Sequence, residues 1–159
     1  MAKTMVAFFS ASGTTGRVAA DLASAIGADL YEIVPEVPYS NADLNWNDKG
    51  SRSSREMADD AARPALAGDV PDTSAYDVVF VGFPIWWYVE PRVVDTFLEA
   101  TDLTGKTVVP FATSGGSGVG RAVSRIRSIA SGANVVEGEL LNGRPSQAKL
   151  ASWAKGIRR

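Results

Sequence analysis

The sequence predicts an α/β fold: a three-layer, doubly wound parallel sheet of five strands. Three observations predict it. Strand-like apolar runs alternate with helix-periodic segments along all 159 residues. Runs such as VVFVGF at 78–83 are apolar without alternation, as expected of strands buried on both faces. No repeat and no Gly/Ser/Pro-rich linker divides the chain, so one domain over 1–159 is expected.

Thr4–Phe9 reads as the first strand. After a loop of small residues, Val18, Leu22, Ala25 and Ile26 recur at helical spacing, and Gly27 is the stop. Leu30–Val34 is the second strand. Pro35–Ser53 is irregular and long for a compact domain, a length that usually signals function or disorder. Trp46 in its middle implies that this loop packs on something. A helix is expected over Ser54–Ala62, then a buried strand over Asp77–Gly82. Pro91 suits a first helical turn, and Val93, Val94, Phe97 and Leu98 supply the apolar face behind it. Thr107–Phe111 is the fourth strand. Its Pro110 lacks a donor and is expected where pairing stops. Ala122, Val123, Ile126 and Ala130 mark a helix, Asn134–Glu137 the fifth strand, and Leu150, Trp153, Ala154 and Ile157 a closing helix. Lys155, Arg158 and Arg159 lie near its cation-favouring end.

Composition removes several mechanisms. The chain has no Cys and no His. Thiol nucleophiles, disulfides, iron–sulfur ligation, Ser-His-Asp triads and imidazole bases are therefore excluded. The longest apolar uncharged stretch, Val78–Val89, contains Gly82 and Pro84 and falls short of the roughly 20 residues of a spanning helix. The apolar run Met5–Phe9 is shorter than the roughly 7–15 residues of a secretory core, so a cytoplasmic location is expected. The net charge of −2 conceals an acidic excess over 1–80 and a basic excess over 81–159. Arg121, Arg125 and Arg127 form either a patch for an anionic partner or a solvated helix face. No basic–aromatic motif points to nucleic acid.

In a doubly wound sheet, ligands bind beyond the carboxyl ends of the strands, which brings three loops together. The first, Ser10-Ala11-Ser12-Gly13-Thr14-Thr15, offers four hydroxyls and the amides of a helix start. That set suits a phosphate, or simply an N-cap and a turn. It has neither Walker nor GxGxxG spacing. The second loop runs Phe83-Pro84-Ile85-Trp86-Trp87-Tyr88-Val89-Glu90-Pro91. Three adjacent aromatic residues cannot all face a core. They suit a platform for a flat heterocycle, or a lid or subunit interface. The third, Thr113-Ser114-Gly115-Gly116-Ser117-Gly118, allows close backbone approach to a ligand, or is a flexible connection.

With FFSASGTTGR at 8–17, VFVGFPIWWYVEP at 79–91 and VVPFATSGGSGVG at 108–120, the chain resembles the flavodoxin family over nearly its whole length. The resemblance implies strand order 2-1-3-4-5 and non-covalently bound FMN. It places the phosphate on Ser10, Ser12, Gly13, Thr14 and Thr15. It sets the isoalloxazine against Pro84, Ile85, Trp86, Trp87 and Tyr88, with Thr113, Ser114, Gly115 and Gly116 along its polar edge. No side chain is assigned a catalytic role and no metal is expected, because the flavin carries the redox chemistry.

The function this implies is electron transfer through FMN to a redox partner protein or a small quinone-like acceptor. The alternative is an NAD(P)H-dependent FMN oxidoreductase of quinone-reductase type. A third reading is a non-catalytic FMN- or ligand-binding module. Electron-carrying members resemble one another in a strongly acidic surface and a glycine in the loop after the third strand. Here the net charge is −2 and no Gly lies between Phe83 and Pro91. In the reductase reading, Trp46 and Tyr88 form a stacking slot and Arg121 or Arg125 meets a nucleotide phosphate. Core packing of Trp46 is the competing expectation.

Overall fold

Continuous apolar strands need cover on both faces, and the architecture supplies it. The computed structural model describes residues 3–11, 13–113, 118–143 and 145–157. Its strands are β1 (Lys3–Phe8), β2 (Asp29–Glu32), β3 (Tyr76–Pro84), β4 (Thr107–Thr113), β5 (Asn134–Val135) and β6 (Glu139–Leu140). Its helices are α1 (Thr14–Ile26), α2 (Arg52–Met57), α3 (Arg92–Ala100), α4 (Gly120–Ile129) and α5 (Gln147–Lys155). The sheet order is β2-β1-β3-β4-β5, with parallel neighbours, the flavodoxin-like order expected.

The two-residue period of the strands divides the core. Met5, Ala7, Val79, Val81, Phe83, Val108 and Ala112 pack with Val93, Val94 and Phe97 of α3 and Ala122, Val123 and Ile126 of α4. Val6, Phe8, Val78, Phe80, Val109 and Phe111 pack on the other side with Val18 and Leu22 of α1 and Leu150 of α5. Each Val, Leu, Ile, Met or Phe among them contributes roughly 1.5–3 kcal/mol. Gly82 faces the Phe111 ring, which stands 2.2 Å from where a β-carbon would sit, so no larger residue fits that register.

Helix ends follow local chemistry. Gly27 closes α1 in the left-handed region at φ 66°, as its position predicts. Ser51 caps α2 and Ser146 caps α5. Lys155 lies in the last turn of α5, while Arg158 and Arg159 are outside the described residues.

Three expectations are corrected. Pairing does not stop at Pro110: β4 continues to Thr113, paired with Pro84. The carbonyls of Lys106, Val108 and Ala112 accept bonds from residues 134, 136 and 141, so alternate β4 residues, Pro110 among them, face that side. There the fifth strand is broken into β5 and β6, and Gly138 presses against the Pro110 carbonyl, so the missing donor falls in the break. The helix expected over Ser54–Ala62 is instead the shorter α2, Arg52–Met57. Its last carbonyls are met by Arg92, whose Nε donates to Glu56 O and, beyond the helix, to Asp59 O, and whose Nη2 donates to Met57 O. Finally, Trp46 is not a core residue: it is 70% exposed.

Candidate functional site

The first loop turns sharply because Gly13 sits at φ 91°, and α1 begins at Thr14. Ser10 Oγ accepts from Gly13 N–H at 3.0 Å and Gly16 N–H at 3.1 Å. The Thr14 and Thr15 N–H groups, in the first helical turn, have no intrahelical acceptor. Thr14 is exposed. Thr15 is buried, and its hydroxyl is hydrogen-bonded to that of Thr113 at 2.9 Å. The start of α1 is thereby tied to the end of β4. Arg17 adds a guanidinium whose Nη1 lies 3.9 Å from the β-carbon position of Gly13.

β3 leads into the second loop. Ile85 N–H donates to Thr113 O at 2.9 Å, which ties this loop to β4 as well. Trp86 and Val89 exchange both backbone bonds, at 2.9 and 3.1 Å, closing a tight turn whose tip is Trp87 and Tyr88. Both tip residues have positive φ, 47° and 72°, a left-handed pair usually given to Gly or Asn. The strain marks a place where surroundings override local preference. The three adjacent aromatic residues separate as sterics require. Trp86 packs edge-on against Phe9 and Tyr39, at 5.7 and 5.4 Å between ring centroids. Trp87 and Tyr88 project, 43% and 57% exposed.

The long segment after β2 closes over this turn. Its ends are joined by a bridge between Pro35 and Leu66, so the intervening chain is a pinned excursion. Arg52 stacks 3.9 Å above the Tyr39 ring and pairs with Glu56 at 2.8 Å. The Tyr39 hydroxyl donates to Glu56. Burial first, then that bond, raises the Tyr39 phenol far above its ordinary value, so it stays protonated. Leu44, Trp46, Ser53 and Ile85–Tyr88 line a cavity of about 430 Å³, within the range of ligand pockets. Trp46 and Tyr88, expected to form a slot, do share it.

The basic triplet divides. Arg121 lies 5.3 Å from the Tyr88 ring centroid. Arg127 Nε donates to Val135 O at 3.0 Å. Arg125 corrects its expectation, because it turns inward rather than toward a nucleotide or solvent: its Nη2 donates to Asp95 Oδ2 at 2.9 Å. It joins a charge cluster in which Glu90, Asp95 and Arg92 are buried, Arg63 is partly buried and Asp60 is exposed. Sequence reasoning missed this cluster, although Asp95 among the apolar positions of VVDTF is a readable anomaly. It also passed over Tyr39 and Leu44. Pro84 ends β3 opposite Thr113. Of the expected site residues, the structure gathers Ser10, Gly13, Thr14, Thr15, Pro84, Ile85, Trp86, Trp87, Tyr88 and Thr113 at one sheet edge. Ser12, Ser114, Gly115 and Gly116 lie outside the described residues.

A family model described as Flavodoxin matches residues 3–157. The chain belongs to the flavodoxin family. Two solved structures, of proteins assigned as flavoproteins, are similar to this flavodoxin-family chain. The one from Bacteroides uniformis is 47% identical, with 97% of this chain and 98% of that one covered and a TM-score of 0.92. The one from Bacteroides eggerthii is 48% identical, with 99% and 98% covered and a TM-score of 0.93. A Lactobacillus acidophilus flavoprotein, solved in complex with FMN, shares the fold at 23% identity, with 97% and 99% covered and a TM-score of 0.73. No curated protein matches the chain.

Flavodoxin-family membership supports FMN as the cofactor, and the residues fit it. The amides at the start of α1, beside Arg17, suit a phosphate. The exposed rings of Trp87 and Tyr88 suit a flat heterocycle. Shared tethers on Thr113 hold the two parts together.

Proposed function

We propose that this flavodoxin-family protein transfers electrons through non-covalently bound FMN. One observation carries the reading: Thr113 binds the helix-start cup through its hydroxyl and the aromatic turn through its carbonyl. A phosphate-binding element and a ring-binding element are thus held at one sheet edge, where a mononucleotide spans both.

FMN, when bound, supplies the redox chemistry, and the chain supplies binding, orientation and shielding. Thr14 and Thr15 N–H, the Thr14 hydroxyl and Arg17 hold the phosphate. Ser10 orients the cup from behind by accepting from Gly13 and Gly16. Trp87 and Tyr88 cover a face of the ring, and Trp86, seated on Phe9 and Tyr39, gives their turn a rigid base.

A second reading, an NAD(P)H-dependent reductase acting on a quinone-like acceptor, is favoured by one observation. The cavity bordered by Trp46 adds aromatic surface beside the turn, suited to another planar molecule. The test starts with FMN added to the purified apoprotein. Quenching of flavin fluorescence is expected, with affinity lowered about tenfold or more in Thr14→Ala/Arg17→Ala. Unchanged affinity in that variant removes the phosphate assignment. A loaded protein that NAD(P)H leaves oxidised is a carrier. Rapid bleaching by NAD(P)H and turnover with a quinone replaces that reading with the reductase.

A further inference from the structure

Directly behind the aromatic turn lies a carboxyl group that the flavin site does not use. Glu90 follows Val89, the residue that closes the turn, and precedes Pro91, which caps α3. Its side chain is fully buried. The charged groups around it come from every element packed there. α3 brings Arg92, Asp95 and, through Arg63, Glu99. α4 brings Arg125, and the segment after α2 brings Asp60 and Arg63. On the outer side of the turn stand Tyr88 and Arg121.

Three guanidiniums thus meet the carboxylates of Asp60, Asp95 and Glu99, of which Asp60 and Glu99 reach solvent and only Asp95 is buried. An ionised Glu90 would place a second buried carboxylate beside Asp95. Among the described residues, the one guanidinium paired with Glu90, that of Arg125, is shared with Asp95 and Asp60. Arg92 donates to the carbonyls of 56, 57 and 59 and to Asp60, and its Nη1 lies 3.7 Å from Asp95 Oδ2. Arg125 donates to Asp95, and its Nε approaches Glu90 Oε1 at 3.3 Å without forming a hydrogen bond. Both Glu90 oxygens and Asp95 Oδ1 are buried without a hydrogen-bond partner. One proton shared between the two carboxyls supplies the missing bond.

We propose that Glu90 is a positioning residue for the aromatic turn. As a neutral acid bonded to Asp95 it anchors the exit of the turn between α3 and α4, and loss of its proton releases Trp86–Val89. The consequence for flavin binding rests on the FMN reading above, but the anchor itself does not. Burial, reinforced by the Asp95 carboxylate and only partly opposed by Arg125, pushes the Glu90 carboxyl up to about 9. The acid is therefore neutral at physiological pH.

The test begins on the full chain without FMN, with carboxyl carbon and backbone amide resonances followed by NMR from about pH 6 to about pH 10.5. Glu90 should titrate far above the ordinary carboxyl range. The amides of Trp86 and Val89 should shift with the same midpoint, and should still do so in Tyr88→Phe, which lacks the phenol of the turn itself. FMN affinity of the native chain should then fall by up to about tenfold per pH unit above that midpoint. Glu90→Gln, neutral at every pH, should bind within about threefold of the native chain at neutral pH and lose far less affinity in alkali. An ordinary Glu90 titration, turn amides that ignore it, or an equal alkaline loss in Glu90→Gln overturns the proposal. The NMR result decides the anchor even if Glu90→Gln does not fold. A chain that shows the coupled titration yet binds no FMN refutes the flavin reading alone.

Discussion

Ser10 and Thr15 carry similar hydroxyls five positions apart and do different work with them. Ser10 faces the start of α1 and accepts two amides. Thr15 is buried within α1 and reaches Thr113, 98 residues away, at 2.9 Å. Thr15→Val keeps the shape, removes the bond and leaves the buried Thr113 hydroxyl unpaired. A loss of about 1–3 kcal/mol is expected in urea unfolding. A midpoint unchanged from the native chain would show that the tether is not structural. Along the chain, both residues read as candidate phosphate ligands or as part of a cap and turn. Which hydroxyl is buried depends on where β4 ends, and nothing near Thr15 in the chain records that.

At the scale of elements, the aromatic turn is the least expected piece. Gly and Asn favour the left-handed conformation because an L side chain otherwise crowds the carbonyl, at a cost of roughly 1–2 kcal/mol per residue. Here Trp87 and Tyr88 occupy it. The paired Trp86–Val89 bonds, the Ile85–Thr113 bond and the buried Glu90 together hold the turn closed. Tyr88→Gly relieves one strained position and removes little buried surface. Stability is expected to rise by about 1 kcal/mol, or about 2–4 °C in melting temperature, while FMN binding weakens. A lower melting temperature would mean that the Arg121–Tyr88 stack contributes more than the strain. α3 shows the opposite case. Its 3.6-residue period identifies Val93, Val94, Phe97 and Leu98, and all four are buried. The same helix buries Arg92 and Asp95, which no period identifies, because their partners lie about thirty residues away in the chain.

At the scale of the whole molecule, the acidic first half and basic second half meet where Asp60 and Arg63 face Arg92, Asp95 and Arg125. This junction governs the pH dependence of stability. Glu90 keeps its proton up to about pH 9 in the folded chain but only to its ordinary value, 4.5, when unfolded. The folded chain binds more protons between those values. Its contribution is therefore full below about 4.5, declines as pH rises through the window, and is gone above about 9. Asp43, Asp72 and Asp102 act at the other end. Backbone N–H bonds from Ser40, Ser74 and Thr104 lower them, so their contribution is lost as pH falls below the carboxylate range. Urea midpoints of the native chain should fall from about pH 5 to about pH 9, and those of Glu90→Gln should fall much less. Equal slopes would place the titrating group elsewhere.

The class of fold, the order of its elements and the chemistry offered at one sheet edge are legible along the chain. These are local properties: alternation in strands, helical spacing, a glycine at a helix end, and hydroxyls and aromatic rings in loops between them. Packing determined that Trp86 turns inward while Trp87 and Tyr88 project, that Trp46 borders a cavity instead of filling a core, and that Arg125 faces Asp95. It also decided that Pro110 falls opposite a break between β5 and β6. Each of those outcomes depends on a partner far away in the chain. A local pattern states that a group is present. Only the packed chain states what that group meets.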